Sequence, residues 1–180
     1  MNVERLEHLI TLLERKQKED ADRFYMGAWA QPNDSDKPMN LCNTASCALG
    51  TAALDPMCND EGLFLEVLYA ENGEHTKFLL SDKAAWERLK EFDIETVDFL
   101  PNFKGNTGFA AGAVYYDIFT READYLFDPG CYPGAQGAIT PQHVIERVRN
   151  VLNGRVPDYS KMKDEEDDDE QASPTEGFVD

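Results

Sequence analysis

The sequence predicts an α+β fold: a helix-dominated single domain with a small antiparallel β hairpin or sheet, followed by a disordered acidic C-terminal tail. Three observations carry this. Apolar residues recur at helical spacing near the start of the chain and again around position 148, two β-rich runs flank Asn72-Gly73, and beyond Val156 acids accumulate while apolar residues become sparse. The 180 residues, 42% of them hydrophobic, suffice for one sizeable core. Residues 1–157 are therefore assigned to the globular domain and 158–180 to the tail.

The first helix is expected from Asn2 to about Asp20, where Val3, Leu6, Leu9, Ile10, Leu12 and Leu13 make one apolar face. An aromatic stretch, Arg23 to Gln31, leads into the polar, proline-containing run QPNDSDKPMN. Leu41 to Leu54, LCNTASCALGTAAL, then reads as a short buried helix over Ala45–Leu54, with Asn43 or Thr44 as its N-cap and Pro56 preventing continuation. Gly50 inside that helix costs about 1 kcal/mol relative to alanine. A second element crossing at close range explains the choice.

GLFLEVLY (Gly62–Tyr69) and EHTKFLL (Glu74–Leu80) flank Asn72-Gly73, a pair suited to the positive φ of a type I′ turn. Ser81 or Asp82 is expected to cap a helix through about Glu91, and FLPNFKGNTG reads as irregular. Phe109 to Phe119 form a third buried helix, with Gly108 and Gly112 permitting close packing. Thr120 caps READYLF, which Asp128-Pro129-Gly130 halts. Thr140-Pro141 starts the last helix, because proline at the first helical position loses no intrahelical bond. That helix turns Val144, Ile145, Val148, Val151 and Leu152 to the core and stops at Gly154.

The formal charge is −18, from 35 acids against 17 bases. Nine of those acids and none of the bases lie between Asp164 and Asp180; the rest of the chain holds 26 acids and all 17 bases. Such a field repels phosphate backbones and anionic lipid and attracts basic protein surfaces. No direct nucleic-acid or membrane binding is expected, and the absence of a signal-like N-terminus or a long apolar run predicts a soluble, cytoplasmic protein. The run Asp164, Glu165, Glu166, Asp167, Asp168, Asp169 and Glu170 is the candidate partner-binding segment, set against a simpler reading as a solvated, charge-extended tail. It lacks the glycine turn and oxygen spacing of a calcium loop.

Four cysteines, Cys42, Cys47, Cys58 and Cys131, have irregular spacing and are expected to be reduced. Cys47 near a helix start could have a depressed thiol pKa and act as a nucleophile, given a base within reach. The histidines are His8, His75 and His143, and His143 in the first turn of the last helix is the candidate partner. Cys42, Cys47 and Cys58 with one histidine would suit zinc, although Cys-x4-Cys is loose spacing and no second knuckle accompanies it. Against both stands plain packing: thiols, glycine and alanines let two backbones touch. No catalytic residue and no cofactor is therefore assigned, with Cys47–His143 and zinc as alternatives. Tyr115, Tyr116, Phe119, Tyr125 and Phe127 are read as core rather than as a base-stacking platform.

Cys42, Thr44, Cys47, Gly50 and Ala52, then Leu126-Phe127-Asp128-Pro129-Gly130, then Thr140-Pro141, together resemble a widespread group of small uncharacterised bacteriophage and bacterial proteins. Its motif runs Cys-Gly-Thr, two residues, Cys, two residues, Gly, often His, then Ala, and the resemblance spans roughly Phe24 to Leu152. Here Asn43 replaces the usual glycine and Thr51 stands where histidine is common, so any function of that histidine is missing. The resemblance implies a phage or prophage setting and no established activity. Together these readings predict a non-enzymatic phage accessory protein that binds and modulates a basic host protein, nucleic-acid-handling proteins being among the candidates, through its acidic surface and tail. The alternative is a small thiol-dependent enzyme or small-ligand binder using Cys47 with His143.

Overall fold

The computed structural model describes residues 1–32, 44–71, 74–79, 98–132 and 139–157. Helix α1 spans Val3–Glu19 and starts where the Asn2 side chain accepts the Arg5 backbone N–H at 3.1 Å. Leu6, Leu9, Leu12 and Leu13 are its buried face, as their spacing requires. The last helix, α6 (Pro141–Leu152), lies against α1 and buries Val144, Ile145, Val148 and Val151. It ends before Gly154, which takes φ +65°.

A four-stranded antiparallel sheet forms the second layer, in the order β4–β3–β5–β6: β3 is Leu63–Glu71, β4 Glu74–Leu79, β5 Asp98–Phe103 and β6 Asn106–Thr107. The hairpin is formed as expected, with Glu71 opposite Glu74. Alternate residues of β3 (Leu63, Leu65, Val67) and of β5 (Phe99, Phe103) face the core, and each β3 residue meets its partner in register: Leu63 with Phe103, Leu65 with Pro101, Val67 with Phe99. The segment read as irregular is thus strand β5 and its turn into β6. Pro101 is tolerated because its carbonyl accepts from Gly108 on the β6 side. The missing proline N–H faces that side too, where β6 is only two residues long, so the β3 ladder loses nothing.

The small-residue stretch also differs from expectation. Thr44–Ser46 is a strand, β2, paired antiparallel with β1 (Ala30–Pro32), and the helix α2 covers only Ala48–Ala53. Pairing with β1 holds the backbone extended through Ser46, so Thr44 does not cap the helix, and Asn43 lies outside the described residues. The cap is Cys47. The helix does stop before Pro56, as expected, and Pro56 opens a separate helix, α3 (Pro56–Asp60), capped by Asp55. Asn59 then ties α3 to its neighbours, donating to the carbonyls of Ala53 and Leu63 at 2.8 Å each.

Helix α4 (Phe109–Tyr116) ends three residues before the expected Phe119, where Asp117 adopts φ +51°. Helix α5 (Thr120–Phe127) begins with Thr120 inside it rather than as cap; the Phe119 N–H is accepted by Glu122 at 2.9 Å. A 3-10 turn, Pro129–Cys131, follows. Arg147 of α6 closes over this turn, donating to the carbonyls of Tyr125 and Cys131 with its guanidinium 3.4 Å from the Tyr132 ring centroid. Among the described residues no helix is long and apolar enough to cross a membrane. The Asn72-Gly73 turn, the helix expected from Ser81 to Glu91, Cys42 and the segment 158–180 with its acidic run lie outside the described residues.

Candidate functional site

Cys47 sits at the junction of β2 and α2, where its N–H donates to the Ala28 carbonyl at 3.0 Å and its sulfur accepts the Gly50 N–H at 3.4 Å. The residue is 1% exposed. Burial pushes its thiol up to about 11, outweighing the Gly50 N–H that favours the thiolate. At neutral pH it is a protonated packing group rather than a poised nucleophile. Thr51 is buried with it, its hydroxyl 2.8 Å from both the Ser46 hydroxyl and the Cys47 carbonyl oxygen.

His143 is elsewhere. Its Nδ1 accepts the Thr140 N–H at 3.1 Å, closing the first turn of α6 in the manner of a capping box. It is solvent-exposed, and among the described residues no hydrogen bond joins it to Cys47. The Cys47–His143 pair is thus not assembled. His75 lies in β4 opposite Ala70. Of the aromatics, Tyr115, Tyr116, Tyr125 and Phe127 are core, whereas Phe119 is 70% exposed between α4 and α5 because the helix it was expected to continue has already ended.

The zinc grouping of Cys42, Cys47 and Cys58 does not form as a set among the described residues: Cys42 is outside them, and the cluster around Cys58 does not contain Cys47. That cluster is His8, Asp55 and Cys58, one candidate ligand atom from each lying within 4.8 Å of the others. It is built from two elements. Asp55 is the N-cap of α3, its Oδ2 accepting from Met57 N–H at 3.1 Å and Cys58 N–H at 3.3 Å. A cap and the residue three positions on share one side of the first turn, which brings carboxylate and thiol together. His8, one turn before Leu12 on α1, supplies its Nε2 at 3.0 Å from Asp55 Oδ2.

The surroundings are polar and ordered. Glu61 Oε2 accepts from Arg5 Nε at 2.6 Å and from the Tyr115 hydroxyl at 3.0 Å, and Arg5 lies 4.3 Å from the Tyr115 ring centroid. Arg15 stands 3.9 Å from Asp55 Oδ1. Burial pushes the Cys58 thiol up to about 12; the Tyr115 hydroxyl opposes this, and the Asp55 and Glu61 carboxylates add to it. His8, 23% exposed at its side chain, is where solvent reaches the cluster.

Asp55 and Cys58 were legible as a local pair in DPMC once Pro56 was read as a helix start. His8 was not, since its partner is 47 positions away.

A cavity of about 280 Å³ opens beside Trp29, lined by Met26, Gly27, Phe109, Phe127 and Asp128 among others. Its single charged lining side chain, Asp128, is turned to the Gly130 N–H at 2.8 Å. Among the described residues it therefore lacks the convergent polar groups that fix a small ligand. No protein-family model, curated protein or solved structure matches the chain.

Proposed function

We propose that the chain is a non-enzymatic accessory protein of phage or prophage origin, acting in the cytoplasm, that binds a basic host protein and alters its activity. A partner that itself handles nucleic acid fits best, because its binding surface is already shaped for a dense run of negative charge. The observation that carries this reading is the charge distribution: nine acids without a base in the last seventeen residues, on a body of 26 acids and 17 bases. The sealed, protonated Cys47 supports it, since a thiol in that state does not serve the alternative that uses Cys47 as nucleophile.

The test is partner recovery from bacterial lysate with the full chain and with a chain ending at residue 157, across a salt series. Attachment through the acidic segment requires that basic proteins be recovered, that recovery fall with salt, and that truncation weaken it. Equal and salt-insensitive recovery by the two chains overturns the reading.

A further inference from the structure

We propose that His8, Asp55 and Cys58 form a binding site for a divalent transition metal, with zinc the best match to the donors. The imidazole nitrogen, carboxylate oxygen and sulfur lie within 4.8 Å of one another. One nitrogen, one oxygen and one sulfur are the mixed borderline-to-soft set that zinc takes, with water completing a four-coordinate shell. At bond lengths of ~2.0–2.3 Å, tetrahedral ligands stand about 3.5 Å apart, so a separation at the 4.8 Å limit needs to close by roughly 1 Å, while His8 Nε2 and Asp55 Oδ2 are already 3.0 Å apart.

The scaffold suits that closure. Asp55 and Cys58 are held by the first turn of α3, and Asp55 keeps its Oδ1 free of the backbone N–H groups that Oδ2 caps. His8 reaches in from α1 on a single side chain and is the partly exposed member, giving an ion an entry path. Glu61 stays engaged by Arg5 and Tyr115, so it braces the site without competing for the ion. Among the described residues Arg15 is the lysine or arginine that faces Asp55, through a long contact on a side chain that is about half exposed and free to swing away. On binding, the Cys58 thiol gives its proton to solvent and the sulfur becomes a metal ligand. Among the described residues no other such group of His, Cys, Asp and Glu occurs, which distinguishes this site from the cysteine set read from spacing.

The test titrates the reduced, full-length chain with cobalt(II) and follows the thiolate-to-cobalt charge-transfer band, to which carboxylates of the acidic tail are silent. The band is expected to appear, to be displaced by zinc, to vanish in Cys58→Ser and to need at least tenfold more cobalt in His8→Ala. Cys47→Ser and Cys131→Ser should keep it. Zinc should raise the melting temperature of the parent chain and not that of His8→Ala. No band at saturating cobalt overturns the proposal, as does a band that survives Cys58→Ser, which would place the ligand at another thiol. Should Cys58→Ser fail to fold, His8→Ala and Asp55→Asn decide it, and unchanged cobalt affinity in both overturns the site.

Discussion

The carbonyl oxygen of Trp29 lies so close over Gly50 that a Cβ placed on the glycine would stand 1.5 Å from it. On its other side α2 meets α4, where a Cβ on Gly112 would lie 2.8 Å from the Phe127 ring and 3.1 Å from Leu49. The small residues around Cys47 thus let α2 slot between the Trp29 backbone and α4.

Gly50→Ala should be among the most damaging substitutions in the domain. Backbone cannot yield as a side chain does, so the expected loss is about 3 kcal/mol or more. Gly112→Ala should cost less, on the order of 1–3 kcal/mol, because the Phe127 ring can shift. Urea unfolding of the two variants beside the parent measures both. A Gly50→Ala protein as stable as the parent contradicts the close approach.

Burial of Cys47 has a pH signature. Its folded pKa of about 11 stands above the ordinary 9.0, so the folded state keeps its proton where the unfolded chain has lost it. The associated stability is fully present below about pH 9 and is lost as pH rises toward about 11, amounting to roughly 3 kcal/mol over that window. Cys47→Ala should show a shallower fall in stability across this range. In the parent at pH 7.5 (about neutral), Cys47 should react with iodoacetamide only as fast as the domain opens; immediate labelling under native conditions contradicts the sealed thiol.

Asp55→Ala removes the acceptor for two N–H groups of α3 together with the partner of His8. A loss of about 1–2 kcal/mol is expected, with Asp55→Asn retaining most of the capping. Thermal denaturation of both distinguishes capping from the His8 contact: similar losses in the two would assign the effect to charge rather than to the cap.

Arg147 binds two carbonyls and stacks on Tyr132, a combination that a lysine ammonium cannot reproduce. Arg147→Met should cost about 2–3 kcal/mol, and Arg147→Lys should recover only a minor part of that. Hydrogen exchange should localise the loosening to the turn after α5. Uniform exchange throughout the domain would argue against a local clamp.

Several elements were plain in the sequence because their cause is local. The apolar stripe of α1, the Thr140-Pro141 start of α6 and the hairpin across Asn72-Gly73 each depend on residues a few positions apart, and all three elements occur where expected. The segment from Phe99 to Gly108 was misread because its proline and glycines look like loop chemistry. Only its pairing with β3, some 35 positions away, makes it a strand. The helix start was misplaced at Asn43 or Thr44 for the same kind of reason, as nothing near Ser46 announces that β1 holds it extended.

The sequence by itself determined the α+β class, the amphipathic faces, the acidity and the cost of a glycine at position 50, since these follow from composition, period and intrinsic propensity. Tertiary structure alone decided that Trp29 is what crosses Gly50, that Cys47 is sealed away from His143, and that His8 meets Asp55 and Cys58. Each of these is a contact between residues distant in the chain, chosen by how the two layers pack, and no local pattern encodes the partner.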